Sequence, residues 1–342
     1  MAGDCIRQIP RRGFVLSLAA TILMMAAASA PSLFYPQIAE RLGLIPVATT
    51  LVFAVYTFTL LAALLYLGPL SDHVGRRPVV AAGSLALALS VAMFWFAGSL
   101  AALLVARALQ GLAAGLLIPA LSAMMIDFES PSHRNIAALW NTIGPMIGLG
   151  AGALGAALLL DLTSEPTTAV FGSLVLAFLI VATVVWSTPE LAPKTRIRRG
   201  DLRPRFTVPP HLRRMFTAGV PVIIAGWATN GLFLALGADL VGSELGGSTH
   251  TQAGIVLFAL AISGVTASSV LQRRSARTIS LYATSALAFG TAVSIGALAL
   301  GSYPAYVASV AIVGSGFGTA FLGVLRTLMP HTASSERAAV MA

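Results

Sequence analysis

Gly68-Pro-Leu-Ser-Asp-His-Val-Gly-Arg-Arg-Pro78 stands between two apolar runs, at approximately 46–68 and 78–98. The segment crowds an aspartate, two arginines, glycines and prolines together, while the runs beside it carry no charge. Each run matches the roughly 20 residues that a helix needs to cross about 30 Å of hydrocarbon. The polar segment therefore reads as the turn between two membrane crossings.

The pattern recurs along the chain. Ten runs are long enough to cross: approximately 13–35, 46–68, 78–98, 100–123, 135–160, 168–188, 214–237, 251–271, 279–299 and 303–325. Lipid cannot satisfy free backbone groups, so every run is expected to be helical. Composition points the same way. Of 342 residues, 57% are hydrophobic and 10% charged, where a soluble domain is about a quarter charged. The expected fold class is all-α, a polytopic membrane protein. The 32 glycines suit close helix contacts. Gly144, Gly148 and Gly152 share one helix face, and so do Gly111 and Gly115.

The net charge of +9 does not signal nucleic acid, because the basic residues fall between apolar runs and not along one face. With the N-terminus in the cytoplasm, nineteen of the 21 Lys and Arg lie on the cytoplasmic side. Arg41 falls outside, and Arg107 lies within the fourth run. Glu40, Asp161, Glu165, Asp239 and Glu244 then lie on the outer side. The expected location is the plasma (inner) membrane. Cys5 is the only cysteine, and none of the five histidines forms an H-x-x-x-H pair. No metal or other cofactor is indicated. The absence of paired acids in a span, of H-E-x-x-H and of G-x-S-x-G argues against an enzyme.

One long basic, Pro-rich connector, 189–213, follows the sixth run. It divides an N-terminal six-helix bundle, 1–188, from four further helices, 214–342. Most of its charges suit a solvated linker beside anionic lipid. The first run has a rival reading. Arg11-Arg12, the apolar stretch and Ala28-Ser29-Ala30 resemble a cleaved signal peptide. The length of the run and Pro31 just after the cleavage site oppose it.

The loop 68–78 resembles the signature loop of the major facilitator superfamily, G-x-L-[SA]-D-x-x-G-R-[RK]-P, at the place where that family carries it. The positive-inside rule would explain Arg76 and Arg77, but not Gly68, Asp72, Gly75 and Pro78 as well. Locally, the glycines permit a turn, Pro78 opens a helix, and Asp72 and Arg76 can pair at the rim. The resemblance implies a gating cluster that latches the two halves, with Asp72 facing the start of an eleventh helix.

Arg107-Ala-Leu-Gln110-Gly111 looks like the family's R-x-x-Q-G motif. At 1.5 Å per residue, Arg107 lies about 10 Å below the outer surface. A cation there needs a partner or a water-filled cavity, unless it snorkels to the interface. The family pattern implies proton-linked gating or contact with an anionic substrate. Asn141-Thr-Ile-Gly144-Pro145-Met-Ile-Gly148 resembles the G-P-x-x-G-G motif of proton-linked drug exporters, with Leu149 replacing one glycine. The alternative for Gly144 and Gly148 is a packing face. Pro145 can bend its helix. Loop 271–278 keeps basic residues but lacks the Gly and Asp, as a worn repeat of the signature loop would.

The family has twelve spans, so the expectation is a chain that stops at the opening of an eleventh helix, where Ser334 or Ser335 is a candidate N-cap. No carboxylate stands near the centre of a span. Proton exchange must then use a rim acid (Asp72, Asp127 or Asp239), Arg107 with a partner, or helices beyond the ten. In this family spans one, four, seven and ten line the cavity, which nominates Tyr35, Gln110, Trp227 and Asn230. Trp140 and Asn141 of span five join them. Packing or an interhelical hydrogen bond is the alternative for each.

The resulting expectation is a secondary transporter of a small amphiphilic solute, working by alternating access with proton-coupled efflux. Its partners are the solute, protons and the bilayer, and nucleic acid is not among them. The alternatives are a non-transporting remnant or an uptake permease of the same fold. The oligomeric state is open.

Overall fold

The computed structural model describes residues 2–130, 136–191 and 213–328. Among them every regular element is a helix: α1 (Ala2–Ser29), a 3-10 turn (Ala30–Phe34), α2 (Tyr35–Leu42), α3 (Pro46–Leu67), α4 (Leu70–Val74), α5 (Arg76–Trp95), α6 (Leu100–Asp127), α7 (Ile136–Leu162), α8 (Pro166–Val184), a 3-10 turn (Val185–Ser187), α9 (Arg213–Ser243), α10 (His250–Leu271), α11 (Ala276–Ala299) and α12 (Tyr303–Leu328). Ten of the described helical segments are long and apolar enough to cross a membrane. Their surface fits a lipid solvent: Phe58 is 73% exposed, and Leu89, Leu176 and Phe289 also project outward. In water such a surface would be a sticky patch.

Helix ends follow local chemistry. Pro46 and Pro166 open α3 and α8, where a missing N–H costs nothing. The Ser99 hydroxyl accepts from the Ala102 amide to open α6, and Ser275 does the same with Thr278 at α11. The first span is longer than its apolar run. It extends over Arg11–Leu42, because the chain breaks helix at Ala30–Phe34 and resumes as α2. Helix α7 continues through Pro145.

The chain forms two compact units, Met1–Pro204 and Arg205–Ala342. Most of the connector 189–213, and the tail that would hold the Ser334 or Ser335 cap, lie outside the described residues. In the first unit α6 is central and packs on α3, α5 and α1, while α1 also packs on α7. In the second, α12 packs on α10, α11 and α9. The fourth span of each unit thus meets the three before it.

Glycines set the closeness of these contacts. A Cβ at Gly111 would lie 2.4 Å from the Tyr56 carbonyl on α3, and at Gly115 2.4 Å from the Ala63 Cβ. In the second unit, a Cβ at Gly314 would lie 2.0 Å from the Leu260 carbonyl on α10, and Gly318 abuts Gly264. The same spacing of glycines, on the fourth span against the second, builds both units, as internal repeats require.

Candidate functional site: a buried arginine clamped to a broken helix

The signature loop is held by two acids outside it. Gly75, at φ +106°, turns the chain into α5. A side chain there would strike the Glu190 carboxylate, 2.8 Å from the added Cβ. Glu190 accepts from the backbone N–H of Arg76 at 3.0 Å and of Arg77 at 2.9 Å. A carboxylate across two free N–H groups also suits the helix dipole. It explains why α5 opens at Arg76, two residues before Pro78. The Arg76 guanidinium bonds to Asp127 at the end of α6, and reaches Asp72 at 3.3 Å. Arg77 lies 5.2 Å from the Trp186 ring and donates to the Trp186 carbonyl. Asp72, Arg76 and Arg77 are therefore tied to the end of α6 and to the segment after α8, with Gly75 against Glu190, while Gly68 closes on Leu64 of its own helix and Pro78 stands in the first turn of α5. Glu190→Ala should cost about 1 kcal/mol by removing this cap. Thermal unfolding of the purified protein should show a lower midpoint, with Glu190→Gln in between.

The second cluster is deep inside the first unit. Arg107 is 1% exposed. Its Nε donates to the Tyr35 hydroxyl at 2.6 Å, and Nη1 donates to Gln110 Oε1 at 2.5 Å and to the Ala28 carbonyl at 3.5 Å. Nη2 has no hydrogen-bond partner, and among the described residues no carboxylate pairs with Arg107. Aromatic rings replace the missing counter-ion. Phe94, Phe53, Tyr35 and Tyr56 have centroids 5.0, 5.2, 5.4 and 5.5 Å from the guanidinium carbon. A central arginine costs roughly 3 kcal/mol on insertion scales. Four cation–π contacts of about 1 kcal/mol each offset that cost.

The partners of Arg107 and Gln110 follow from Pro31. A proline has no N–H, so Pro31 cannot bond the carbonyl four residues back, Ala27. The Gln110 amide donates to that Ala27 carbonyl at 2.8 Å. Arg107 takes the next carbonyl, Ala28, and the Tyr35 hydroxyl just beyond the break. The R-x-x-Q pair thus bridges both sides of the interruption in span one. The break is buried throughout, from Ser29 to Tyr35. Ser29 Oγ also donates across to the Leu149 carbonyl of α7 at 2.8 Å.

The glycine stripe of α7 lies along the same helix. An added Cβ would meet Leu18 at 3.1 Å from Gly144, the Ile22 carbonyl at 2.4 Å from Gly148, and the Ala26 Cα at 2.4 Å from Gly152. Span five is seated on span one through backbone contact.

The remaining candidates separate. Tyr35 belongs to the arginine cluster. Asn141 donates to the Ser122 carbonyl at 3.4 Å, an interhelical bond, and Trp140 is half-buried. In the second unit Trp227 is 59% exposed and meets Phe317 edge-on at 5.4 Å, whereas Asn230 is buried. Sequence reasoning missed Glu190 and the cage residues Phe53, Tyr56 and Phe94. An acid in Pro189-Glu190, close after a span that ends near basic residues, was the available signal.

This geometry meets its match in known proteins: the profile of the Major Facilitator Superfamily covers residues 16–342. The chain belongs to the major facilitator superfamily. It is 32% identical over 152 residues to the puromycin resistance protein pur8 of Streptomyces alboniger, covering 42% of this chain and 30% of that protein. It is 31% identical over 223 residues to the multidrug efflux pump LfrA of Mycolicibacterium smegmatis, covering 62% and 40%. The chain spans about a third of the first relative and two fifths of the second. Among solved structures, it resembles a bacterial homologue of the human lysosomal transporter Spinster in an inward-facing conformation. There the TM-score is 0.71 at 13% identity, covering 97% of this chain and 77% of the other. The human organic anion transporter MFSD10 matches with a TM-score of 0.61 at 18% identity, covering 93% and 90%. By family and by its ten candidate spans among the described residues, the chain is a multi-pass membrane protein of this superfamily.

Proposed function

We propose that the chain exports small amphiphilic solutes from the cell across the plasma membrane, in exchange for protons, by alternating access of a six-helix and a four-helix bundle. The observation that carries the reading is the arginine clamp on span one. A helix broken at Pro31, whose freed carbonyl is held by side chains from α6, with Ser29 bonded to α7, can act as a hinge. Such a hinge can open and close without breaking a regular hydrogen-bond ladder. Arg107 holds a charge in a buried site, where an entering proton or anion would compete for its hold on Tyr35 and Ala28. The names of two relatives, a puromycin resistance protein and a multidrug efflux pump, support outward transport of small molecules.

The proton needs a titrating group. Among the rim acids, Asp127 is engaged with Arg76 and Asp72 lies beside the same guanidinium. Partial desolvation at the end of α9 raises the carboxyl pKa of Asp239 above its ordinary value. The direction favours proton uptake by Asp239, which the positive-inside reading of the sequence expects on the outer side.

Span one supplies a test of the hinge. Pro31→Ala restores the N–H that Ala27 lacks, so the helix can close its own hydrogen bond and displace Gln110. Flux should fall several-fold while the protein stays folded. For the transport reading, cells that express the chain should accumulate less puromycin than cells expressing Pro31→Ala. Equal accumulation in both, matching cells without the protein, contradicts export.

A further inference from the structure

The two units hold the arginines of their corresponding loops differently. In the first, the arginines of loop 68–78 are met by acids. Arg76 bonds to Asp127 and reaches Asp72, and Glu190 accepts from the backbone N–H groups of Arg76 and Arg77. In the second, the loop between α10 and α11 carries Arg273 and Arg274, with Arg277 in the first turn of α11, and all three are exposed. Arg326 joins them from the last turn of α12. Its Nη1 donates to the Arg274 carbonyl at 2.8 Å, so the side chain reaches the loop. Packing of α12 on both α10 and α11 brings the three helix ends together.

No carboxylate answers these four charges. The acids among the described residues of the second unit are Asp239 and Glu244, at the C-terminal end of α9. Short turns make consecutive helices antiparallel, so that is the opposite end of the unit. None of the four arginines forms an ion pair among the described residues. The Arg274 carbonyl orders Arg326 without neutralising it. The dipole of α11, which opens at the Ser275 cap, adds positive potential at the same place. Like charges gathered in one patch repel each other and attract an anion. The positive-inside tendency asks for basic residues at this end of the unit, but not for their convergence on one loop.

Apolar side chains stand beside the patch. Val270, in the last turn of α10, and Leu281, one turn after Arg277 on the same face of α11, are both exposed. A small soluble anion gains nothing from such a surface. A phospholipid uses both parts.

We propose that Arg273, Arg274, Arg277 and Arg326 bind the headgroup of an anionic phospholipid, whose acyl chains run along α10 and α11 past Val270 and Leu281. The guanidinium forks donate to the phosphate oxygens. The bound lipid neutralises the patch and holds the ends of α10, α11 and α12 together. The site does not depend on the exporter reading.

The test is native mass spectrometry of the full chain in detergent, titrated with phosphatidylglycerol and with phosphatidylcholine of the same acyl chains. The two lipids share a phosphodiester and differ in net charge. The wild-type chain should bind phosphatidylglycerol at least about tenfold more tightly. Arg273→Gln combined with Arg277→Gln changes two exposed side chains. It should weaken phosphatidylglycerol by about tenfold or more, at roughly fivefold per arginine. Phosphatidylcholine should be unaffected. Arg11→Gln combined with Arg12→Gln removes two exposed arginines of the first unit and should leave phosphatidylglycerol binding within twofold. Phosphatidylglycerol should also raise the unfolding midpoint of the wild-type chain and of this control, and not that of the Arg273 and Arg277 variant. Equal affinity of the wild-type chain for the two lipids overturns the site. An equal loss in both double variants overturns it too, as a diffuse charge effect. Displacement of the lipid by an equal concentration of glycerol 3-phosphate overturns the lipid in favour of a soluble phosphate.

Discussion

Arg107→Met is expected to lower puromycin flux in proteoliposomes by at least tenfold while leaving the protein folded. The two effects separate because the cost of burying the arginine is only balanced by its ring contacts, so its loss changes stability little. Among the described residues it has no counter-ion, one nitrogen is unpaired, and burial is complete but for 1%. Removing a buried, unpaired charge relieves desolvation, and methionine packs well against aromatic rings. The unfolding midpoint should therefore hold or rise. The clamp does not survive the change. Ala28 and the Tyr35 hydroxyl lose their donor, and only Gln110 still holds Ala27. Arg107→Lys keeps the charge, but an ammonium lacks the planar fork that reaches Tyr35, Gln110 and Ala28 together. Its flux should fall nearly as far. A folded Arg107→Met protein with wild-type flux would remove the clamp from the mechanism.

The second large effect is on folding. Gly148→Leu should abolish the folded yield of the purified protein. Even the first added carbon meets the Ile22 carbonyl at 2.4 Å and the Met25 Cβ at 2.7 Å. The Ile22 backbone and a side-chain Cβ, which is fixed to its own backbone, leave no flexible end to move, so the helices must part. Overpacking of this kind costs about 3 kcal/mol, and separating α7 from α1 also exposes the break at Ala30–Phe34. Gly148→Ala should give a smaller loss. Gly155→Ala on the same helix is the control, because nothing lies within 4 Å of its added Cβ. Size-exclusion profiles in detergent read all three. A monodisperse Gly148→Leu protein would contradict the described contact of α7 with α1.

What the sequence disclosed and what it hid divide along physical lines. Ten spans are legible because the bilayer imposes a length and forbids charge, and both are local properties. The motifs around Gly68–Pro78 and Arg107–Gly111 are legible because they are contiguous. The partners of those motifs are not. Glu190 lies more than a hundred residues beyond Arg76, and Phe53, Tyr56 and Phe94 meet Arg107 only through packing of α3 and α5 on α6. Span one was read as a plain apolar run. In the sequence Pro31 reads as an obstacle to cleavage, yet a proline in a helical run also leaves a carbonyl without its donor. The glycine stripe of α7 shows how a motif and a packing face coincide. Gly144, Gly148 and Gly152 share one face by spacing alone, but only the structure supplies the helix they lie on.

The most direct test is puromycin transport by the purified chain in proteoliposomes under an imposed pH gradient. The lumen is acidic, and the fraction of protein in each orientation is determined by protease access. The account expects puromycin to enter the acidic lumen through molecules whose outer face lines it. This uptake should be matched by proton release and collapse when a protonophore dissipates the gradient, and it should be lost in Arg107→Met. Uptake that persists unchanged without the gradient, or no uptake by a folded wild-type chain, would contradict proton-coupled export.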